Sequence, residues 1–150
     1  MLRKCILFTG IQASGKTTFY HRYFSDLTHV NLDTLHTRNR ERLLLEACLA
    51  SGASFVVDNT NPLRSDRARY ILPARAHGYR ILGYYFRSSM TECKKRNELR
   101  TGSARLPSVA LAATHRVLEL PSWDEGFDEL YHVRIDGSDY IIEPWEASEV

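Results

Sequence analysis

The sequence predicts an α/β fold in which a mostly parallel, five-stranded sheet carries helices on both faces. Short apolar runs alternate along the chain with helical patterns of ten or more residues, and parallel strands need such crossovers. The first apolar run ends at a glycine and leads directly into a helical stretch. The chain has 150 residues, 43% of them apolar and 25% charged, which is the size and composition of one globular domain. We therefore expect a single domain over residues 1–150.

The N-terminal half of the chain alternates two apolar runs with two helical patterns. A continuous apolar run at 4–9 predicts a strand, and a helix-compatible stretch follows at 16–24. Residues 29–32 predict a second, short strand. From 34 to 50 the apolar residues fall on one helical face with charged residues between them, and Gly52 ends this predicted helix.

The C-terminal half continues the same alternation. Apolar runs predict strands at 54–57, 80–86 and 130–135. Helical patterns separate or follow these runs at 65–77, 91–100 and 108–118. Pro73 lies inside the first of these helices, and we expect it to kink or shorten that helix. No clear period follows Gly137, so we expect a loosely held tail at about 138–150.

Composition excludes several classes of protein. No run approaches 18 apolar residues, so we expect no membrane segment. The N-terminus lacks the apolar core and cleavage site of a signal peptide, which predicts an intracellular, cytoplasmic protein. The three cysteines are far apart and not in C-x-x-C spacing, so neither a disulfide framework nor a zinc site is indicated. Of the 20 basic residues 16 are arginine, which suits phosphate recognition, although ordinary solvated arginines account for the bias equally well.

The segment from Gly10 to Thr17, GIQASGKT, matches the phosphate-binding pattern G-x-x-x-x-G-K-[ST] at every fixed position. The backbone N–H groups of such a loop wrap the β-phosphate, the lysine reaches the β- and γ-phosphates, and the threonine hydroxyl binds Mg²⁺. A glycine turn without a nucleotide is the alternative. We expect ATP and Mg²⁺ as ligands, and the predicted nucleotide-binding residues are Gly10, Ile11, Gln12, Ala13, Ser14, Gly15, Lys16, Thr17 and Thr18.

Two aspartates follow predicted strands, at the edge of the sheet where α/β proteins bind ligands. Asp33 comes after the second strand and Asp58 after the third. A kinase needs one carboxylate to take the proton of the acceptor hydroxyl and another near Mg²⁺. We assign the second role, with Thr17, to Asp58. The alternative is that Asp33 caps the next helix and Asp58 forms an Asx turn.

A basic cluster at the end of the fourth predicted helix contains Arg96 and Arg100, which share one helical face. An arginine segment that closes over the phosphates neutralises charge in the transition state and excludes water. The cluster predicts such a lid at about 96–107. A solvated basic helix end, favoured by the helix dipole, is the alternative.

Four blocks of the sequence resemble the polynucleotide 5′-kinase family: GIQASGKTTF at 10–19, HVNLDTL at 29–35, VVDNTNPLRSDRARY at 56–70 and ECKKRNELRTGSARLP at 92–107. The third block is the most specific. The resemblance implies a P-loop kinase core that phosphorylates the 5′-hydroxyl of a DNA or RNA end, as in nucleic acid repair. It implies that Asp33 is the general base and that Arg96 and Arg100 contact the ATP phosphates. It also indicates that Arg67 helps to hold the acceptor strand, and a surface arginine on a helix is the alternative.

The sequence also departs from the family pattern. Family members carry an arginine immediately before the catalytic aspartate, where this chain has Leu32, and one has a further arginine three residues after it, where this chain has His36. We expect His36 and Arg38 to contact the acceptor instead, and a solvated helical face is the alternative for Arg38. The alternatives are a P-loop kinase that acts on a small molecule or nucleoside, and a nucleotide-binding switch without an acceptor. The sequence indicates neither an oligomeric state nor a preference for DNA over RNA.

Overall fold

A computed structural model describes residues 2–146. The strands are β1 (Lys4–Thr9), β2 (Thr28–Val30), β3 (Phe55–Val57), β4 (Arg80–Phe86), β5 (Glu129–Asp136) and β6 (Asp139–Pro144). The helices are α1 (Lys16–Tyr23), α2 (Leu32–Leu35), α3 (Arg38–Ser51), α4 (Arg64–Ala76), α5 (Met90–Glu98) and α6 (Ser108–Val117). Two short 3₁₀ turns lie at Gly102–Ala104 and Trp123–Glu125. Helix α4 continues past Pro73, so the proline does not shorten it.

The strands form one sheet in the order β2-β3-β1-β4-β5-β6. The first five are parallel and β6 runs antiparallel to β5. This confirms the predicted α/β class with a mostly parallel sheet. Helices lie between successive parallel strands in sequence, as the crossovers require.

The predicted strand count and tail need correction, because the chain after Gly137 adds a sixth strand. Residues of β6 pair with β5 from Asp136↔Asp139 to Tyr131↔Pro144, and Trp145 is buried against the core. The backbone hydrogen bonds to β5 hold this segment in place. Its apolar residues form only a short run flanked by charged residues, so its sequence does not predict a strand. The remainder of the predicted tail, 147–150, lies outside the described residues.

The core has a layer on each face of the sheet. Alternate side chains of a strand point to opposite faces, so Cys5 and Leu7 pack with α3 and α4 on one side. Ile6 and Phe8 pack with Phe19 of α1 on the other. This confirms helices on both faces. None of the helices within 2–146 is long and apolar enough to cross a membrane.

A third apolar cluster packs helices α5 and α6, which follow β4, against the loop after β1. Cys93 of α5 and Leu111 of α6 are buried against Ile11 and Ala13 of the loop after β1. Helices α5 and α6 therefore pack directly on the loop at the carboxyl end of β1. The carboxyl ends of β2 and β3 lie at the same edge of the sheet, because these strands are parallel to β1.

Candidate functional site

The loop between β1 and α1 is an open cradle of backbone N–H groups. Ala13 and Gly15 have left-handed conformations, with φ of 64° and 97°. A side chain at Gly15 would be strained, because L residues rarely adopt a φ of 97°, and its Cβ would also lie 2.7 Å from Cδ1 of Ile135. The N–H groups of Gln12, Ala13 and Gly15 donate to no atom within 2–146. These donors, at the N-terminus of α1, are the arrangement that binds phosphate.

Neighbouring elements hold this loop in place from three sides. The Gly10 N–H donates to the carbonyl of Thr60 at 3.0 Å. The Ile11 N–H donates to Oγ of Ser88 at 3.0 Å, and the hydroxyl of Tyr140 donates to the carbonyl of Gly15 at 2.8 Å. The loop is therefore preorganised, and a ligand would not have to order it.

Lys16 lies inside the loop, with 8% of its surface exposed. Its Nζ donates to the carbonyls of Gly10 and Ile11 at 2.9 Å each and to Oγ of Ser14 at 3.3 Å. Burial lowers the pKa of Lys16 to about 8, while the nearby charge of Asp58 opposes this shift. A buried ammonium without a full countercharge favours an anion in the cradle.

Asp58, directly after β3, is almost fully buried beside Thr17. Its Oδ2 accepts a hydrogen bond from Oγ1 of Thr17 at 2.8 Å and lies 2.7 Å from Nε2 of His29. Its Oδ1 is buried and has no partner among the described residues. A hydroxyl next to a carboxylate with a free oxygen is an oxygen donor set of the kind that Mg²⁺ prefers, so Thr17 and Asp58 fit this ion.

His29 is part of this arrangement, although its place in a predicted strand did not single it out. Its ring stacks on Tyr20 with 3.8 Å between centroids, which holds the imidazole against Asp58. Sequence spacing carries no signal for the contact, because His29 lies on β2 and Asp58 directly follows the neighbouring strand β3.

Asp33 is exposed on α2 and faces the loop across a cavity of about 270 Å³. Lys16, Thr17 and Asp58 line the same cavity. A wider cavity of about 730 Å³ continues on the Asp33 side, and His36 lines it. The structure thus brings together the predicted base, the predicted metal ligands and the phosphate-binding loop.

The two predicted lid arginines both lie beside the loop. Arg96 Nη1 donates to the carbonyl of Ala13 at 3.3 Å. Arg100 is exposed and lines both the 270 Å³ cavity and the 730 Å³ cavity. Thr18 lines a further cavity of about 450 Å³ with Arg96, Arg100 and Tyr140. That residues 96–107 move as a lid stays a prediction.

Arg67, which we predicted to hold the acceptor strand, is instead fully buried. Its Nε and Nη2 donate to the two carboxylate oxygens of Glu125 at 2.7 and 3.0 Å. Its Nη1 donates to the carbonyls of Asn61 and Glu119 at 3.0 Å each. With its donors turned inward, Arg67 joins α4 to the 3₁₀ turn before β5 and is not available to a ligand.

Arg38 also lies away from the cavity that holds Asp33. Its Nη1 donates to Oε1 of Glu41 at 2.9 Å and to the hydroxyl of Tyr70 at 3.0 Å. It lines a separate groove between α3 and α4. Helix α3 starts after a turn at His36 and directs Arg38 toward α4, so Arg38 does not line the cavity beside Asp33, and its contact with the acceptor stays a prediction.

Comparison with known proteins places this geometry among nucleotide-binding folds. A family model described as an AAA domain matches residues 35–121, which is more than half of the chain. A protein of Acanthamoeba polyphaga mimivirus, named as a bifunctional polynucleotide phosphatase/kinase, is 28% identical over 136 residues. The match covers 85% of this chain but 32% of that protein, so the chain spans about a third of the length of the curated relative.

Two solved structures share the fold at low sequence identity. A gluconokinase from Sinorhizobium meliloti is 20% identical with a TM-score of 0.61, over 89% of this chain and 83% of that one. Kti12 of Chaetomium thermophilum, in complex with ADP-AlF₃, is 16% identical with a TM-score of 0.69, over 90% of this chain and 91% of that one. The fold is therefore one that a known kinase uses.

Proposed function

The chain belongs to the AAA domain family, and from this premise we propose that it transfers the γ-phosphoryl group of ATP to the 5′-hydroxyl of a nucleic acid end. The observation that carries the proposal is that Asp33 and Lys16 line one cavity. A carboxylate on one side and a phosphate cradle on the other are the two groups that phosphoryl transfer to an alcohol requires. The mimivirus relative, whose name includes polynucleotide kinase, supports this choice of acceptor.

The chain's own residues supply the binding and the proton transfer. The loop amides and Lys16 hold the phosphates of ATP. Asp33 accepts the proton of the acceptor hydroxyl as the new P–O bond forms at the γ-phosphorus. The bond from that phosphorus to the β,γ-bridging oxygen breaks, and ADP leaves with its electron pair. Arg96 and Arg100 stabilise the charge on the transferring group.

Thr17 and Asp58 would hold Mg²⁺, which fits the free Oδ1 of Asp58. When bound, this ion neutralises charge on the phosphate oxygens. The Thr17 hydroxyl donates its proton in a hydrogen bond to Asp58 Oδ2, so the lone pairs of its oxygen remain able to bind a cation.

A second candidate is phosphorylation of a small-molecule alcohol on the same core. The positions before and after Asp33 that carry arginine in polynucleotide kinases are Leu32 and His36 here. The burial of Arg67 removes a further predicted contact to an acceptor strand. A solved gluconokinase that shares the fold at 20% identity supports this second candidate.

The test is transfer of label from γ-labelled ATP to short 5′-hydroxyl DNA and RNA strands, with gluconate and nucleosides as competing acceptors. We expect label on an oligonucleotide end and none with Asp33→Asn, whose ATP affinity stays near that of the unmodified protein. Asp26→Asn, an exposed carboxylate in the turn between α1 and β2, is the control and keeps full activity. Label only on a small molecule would favour the second candidate, and full activity of Asp33→Asn would remove Asp33 from its role.

A further inference from the structure

The helix that carries Asp33 is a single turn of four residues, Leu32–Leu35. One turn is not stable alone, because the cost of nucleating a helix exceeds the gain from one or two hydrogen bonds. No residue of α2 is buried, and the turn meets the core through the partly buried side chain of Leu35. The position of Asp33 therefore depends also on hydrogen bonds made by other elements.

Two asparagines make these hydrogen bonds. Asn31 caps the turn, since its Oδ1 accepts from the Thr34 N–H at 3.1 Å while its Nδ2 donates to the carbonyl of Asp58 at 2.6 Å. Asn59 binds the first residue of the turn, with Oδ1 accepting from the Leu32 N–H at 2.9 Å. Leu32 is the residue next to Asp33, so the Asn59 contact fixes the backbone immediately before the proposed base.

A buried carboxylate fixes the orientation of the Asn59 amide. Nδ2 of Asn59 donates to Oε2 of Glu41 at 3.0 Å, and Glu41 is 2% exposed. The other oxygen of Glu41 accepts from Tyr70 at 2.8 Å and from Arg38 at 2.9 Å. The carboxylate only accepts and the Leu32 N–H only donates, so the amide satisfies both in one orientation alone.

We propose that Asn59, held by Glu41, is the positioning residue that aims Asp33 at the acceptor hydroxyl. The inference rests on the proposed role of Asp33 as base. Helix α3, which carries Glu41, and the loop after β3, which carries Asn59, thereby fix the position of the Asp33 carboxylate on α2. Phosphoryl transfer depends steeply on such placement, because an error of about 1 Å costs on the order of 100-fold in rate.

The central experiment exchanges donor and acceptor between the two residues. Asn59→Asp places a carboxylate against Glu41 and breaks their hydrogen bond. In the double variant Asn59→Asp with Glu41→Gln, the glutamine amide donates to the new carboxylate, which still accepts from Leu32. Asn59→Ala removes the contact without adding charge. Tyr79→Phe is the control, because it removes a buried hydroxyl at the other end of α3, bonded to the carbonyls of Cys48 and Ala53.

For Asn59→Ala we expect kcat to fall on the order of 10- to 100-fold while ATP affinity changes less than about threefold. Asn59→Asp loses more, and the double variant recovers most of the loss. Tyr79→Phe lowers the melting temperature and keeps kcat. Unchanged kcat in Asn59→Ala, or no recovery in the double variant, would overturn the proposal.

Amide hydrogen exchange gives a readout that does not depend on the acceptor. We expect the Leu32 N–H to exchange faster in Asn59→Ala and Asn59→Asp, to be protected again in the double variant, and to be unaffected in Tyr79→Phe. If the unmodified protein phosphorylates no acceptor, the proposed function fails while this measurement still tests the positioning. Equal exchange at Leu32 in all variants would show that Asn59 does not hold α2.

Discussion

At the scale of the single residue, we expect the protonation state of Lys16 to depend on whether a nucleotide is bound. Its ammonium group donates to carbonyls of its own loop, and burial lowers its pKa to about 8. Phosphates in the cradle add negative charge close to the ammonium group, which favours the protonated form and raises the pKa. Above pH 8 the free protein has therefore lost a proton that the nucleotide complex retains.

ATP binding should weaken as the pH rises above about 8. The free loop gives up the Lys16 proton there and must take it back on binding, so Kd rises by up to about tenfold per pH unit. Below pH 8 both states are protonated and this group adds no pH dependence. Calorimetry at about pH 7 to 9.5, in buffers with different ionisation enthalpies, measures the Kd and the proton uptake. Lys16→Met should bind weakly with no such trend, and a constant Kd in the unmodified protein would contradict the prediction.

The arginines show that the type of a residue does not determine whether its side chain faces a ligand or is buried. Helical spacing near a phosphate loop predicts one shared face for Arg96 and Arg100, but α5 ends at Glu98, so Arg100 lies just beyond the helix. Both arginines nevertheless lie beside that loop. Arg67 lies in a block that resembles a substrate-contacting segment, yet its partner is Glu125, 58 positions away. Burial of a guanidinium is a property of tertiary packing, and local sequence does not reveal it.

At the scale of the element, the hairpin of β5 and β6 closes the far side of the phosphate-binding loop. Tyr140 donates to the carbonyl of Gly15, and its ring packs edge to face on Phe19 with 4.9 Å between centroids. Arg22 of α1 donates to the carbonyl of Ser138 at 2.9 Å and lies over the Tyr140 ring. The segment expected to be loose thus supports the loop, a relation that depends on an antiparallel pairing the sequence pattern does not display.

Tyr140→Phe should loosen the loop without disturbing the hairpin. The ring contacts remain, but the Gly15 carbonyl keeps only the Phe19 N–H as a donor, so we expect the free energy of unfolding to fall by about 1 kcal/mol. ATP affinity should fall severalfold, because the loop is then less preorganised. Urea unfolding and calorimetry measure the two effects. Tyr131→Phe, which removes a phenol bonded to Glu129 on β5, is the control and should leave ATP affinity unchanged.

At the scale of the whole molecule, the functional residues meet at the edge of the sheet formed by the carboxyl ends of the parallel strands, and the sequence predicts only some of them. The phosphate-binding loop is a contiguous motif, and Asp33 and Asp58 follow strands whose carboxyl ends meet at one edge. His29 and Asn59 also lie at this edge, but their partners belong to other segments, and the strand order that brings them together is not written in any local pattern. Motifs and strand ends were therefore predictable, whereas the hydrogen-bond networks that support them were not.

The small net charge of the molecule bears on whether its acceptor is a nucleic acid or a small molecule. The net charge is only +2, so a general attraction to nucleic acid is small, and affinity for a strand must come from local cations such as the exposed Lys94, Lys95, Arg100 and Arg105. Each strand phosphate that these cations neutralise releases counterions. The logarithm of the binding constant then falls with the logarithm of salt, with a slope of about −0.7 per phosphate for single strands.

For a 5′-hydroxyl oligonucleotide we expect a slope of about −1.4 to −2.8, equivalent to two to four phosphate contacts. Arg100→Gln should make that slope shallower by about 0.7, because Arg100 borders the cavity beside Asp33. Fluorescence anisotropy at several potassium chloride concentrations measures both proteins, and Arg116→Gln, at the exposed end of α6, serves as the control. Oligonucleotide binding that does not depend on salt concentration would contradict a nucleic acid acceptor. An uncharged small-molecule alcohol would then be the acceptor that fits the cavity.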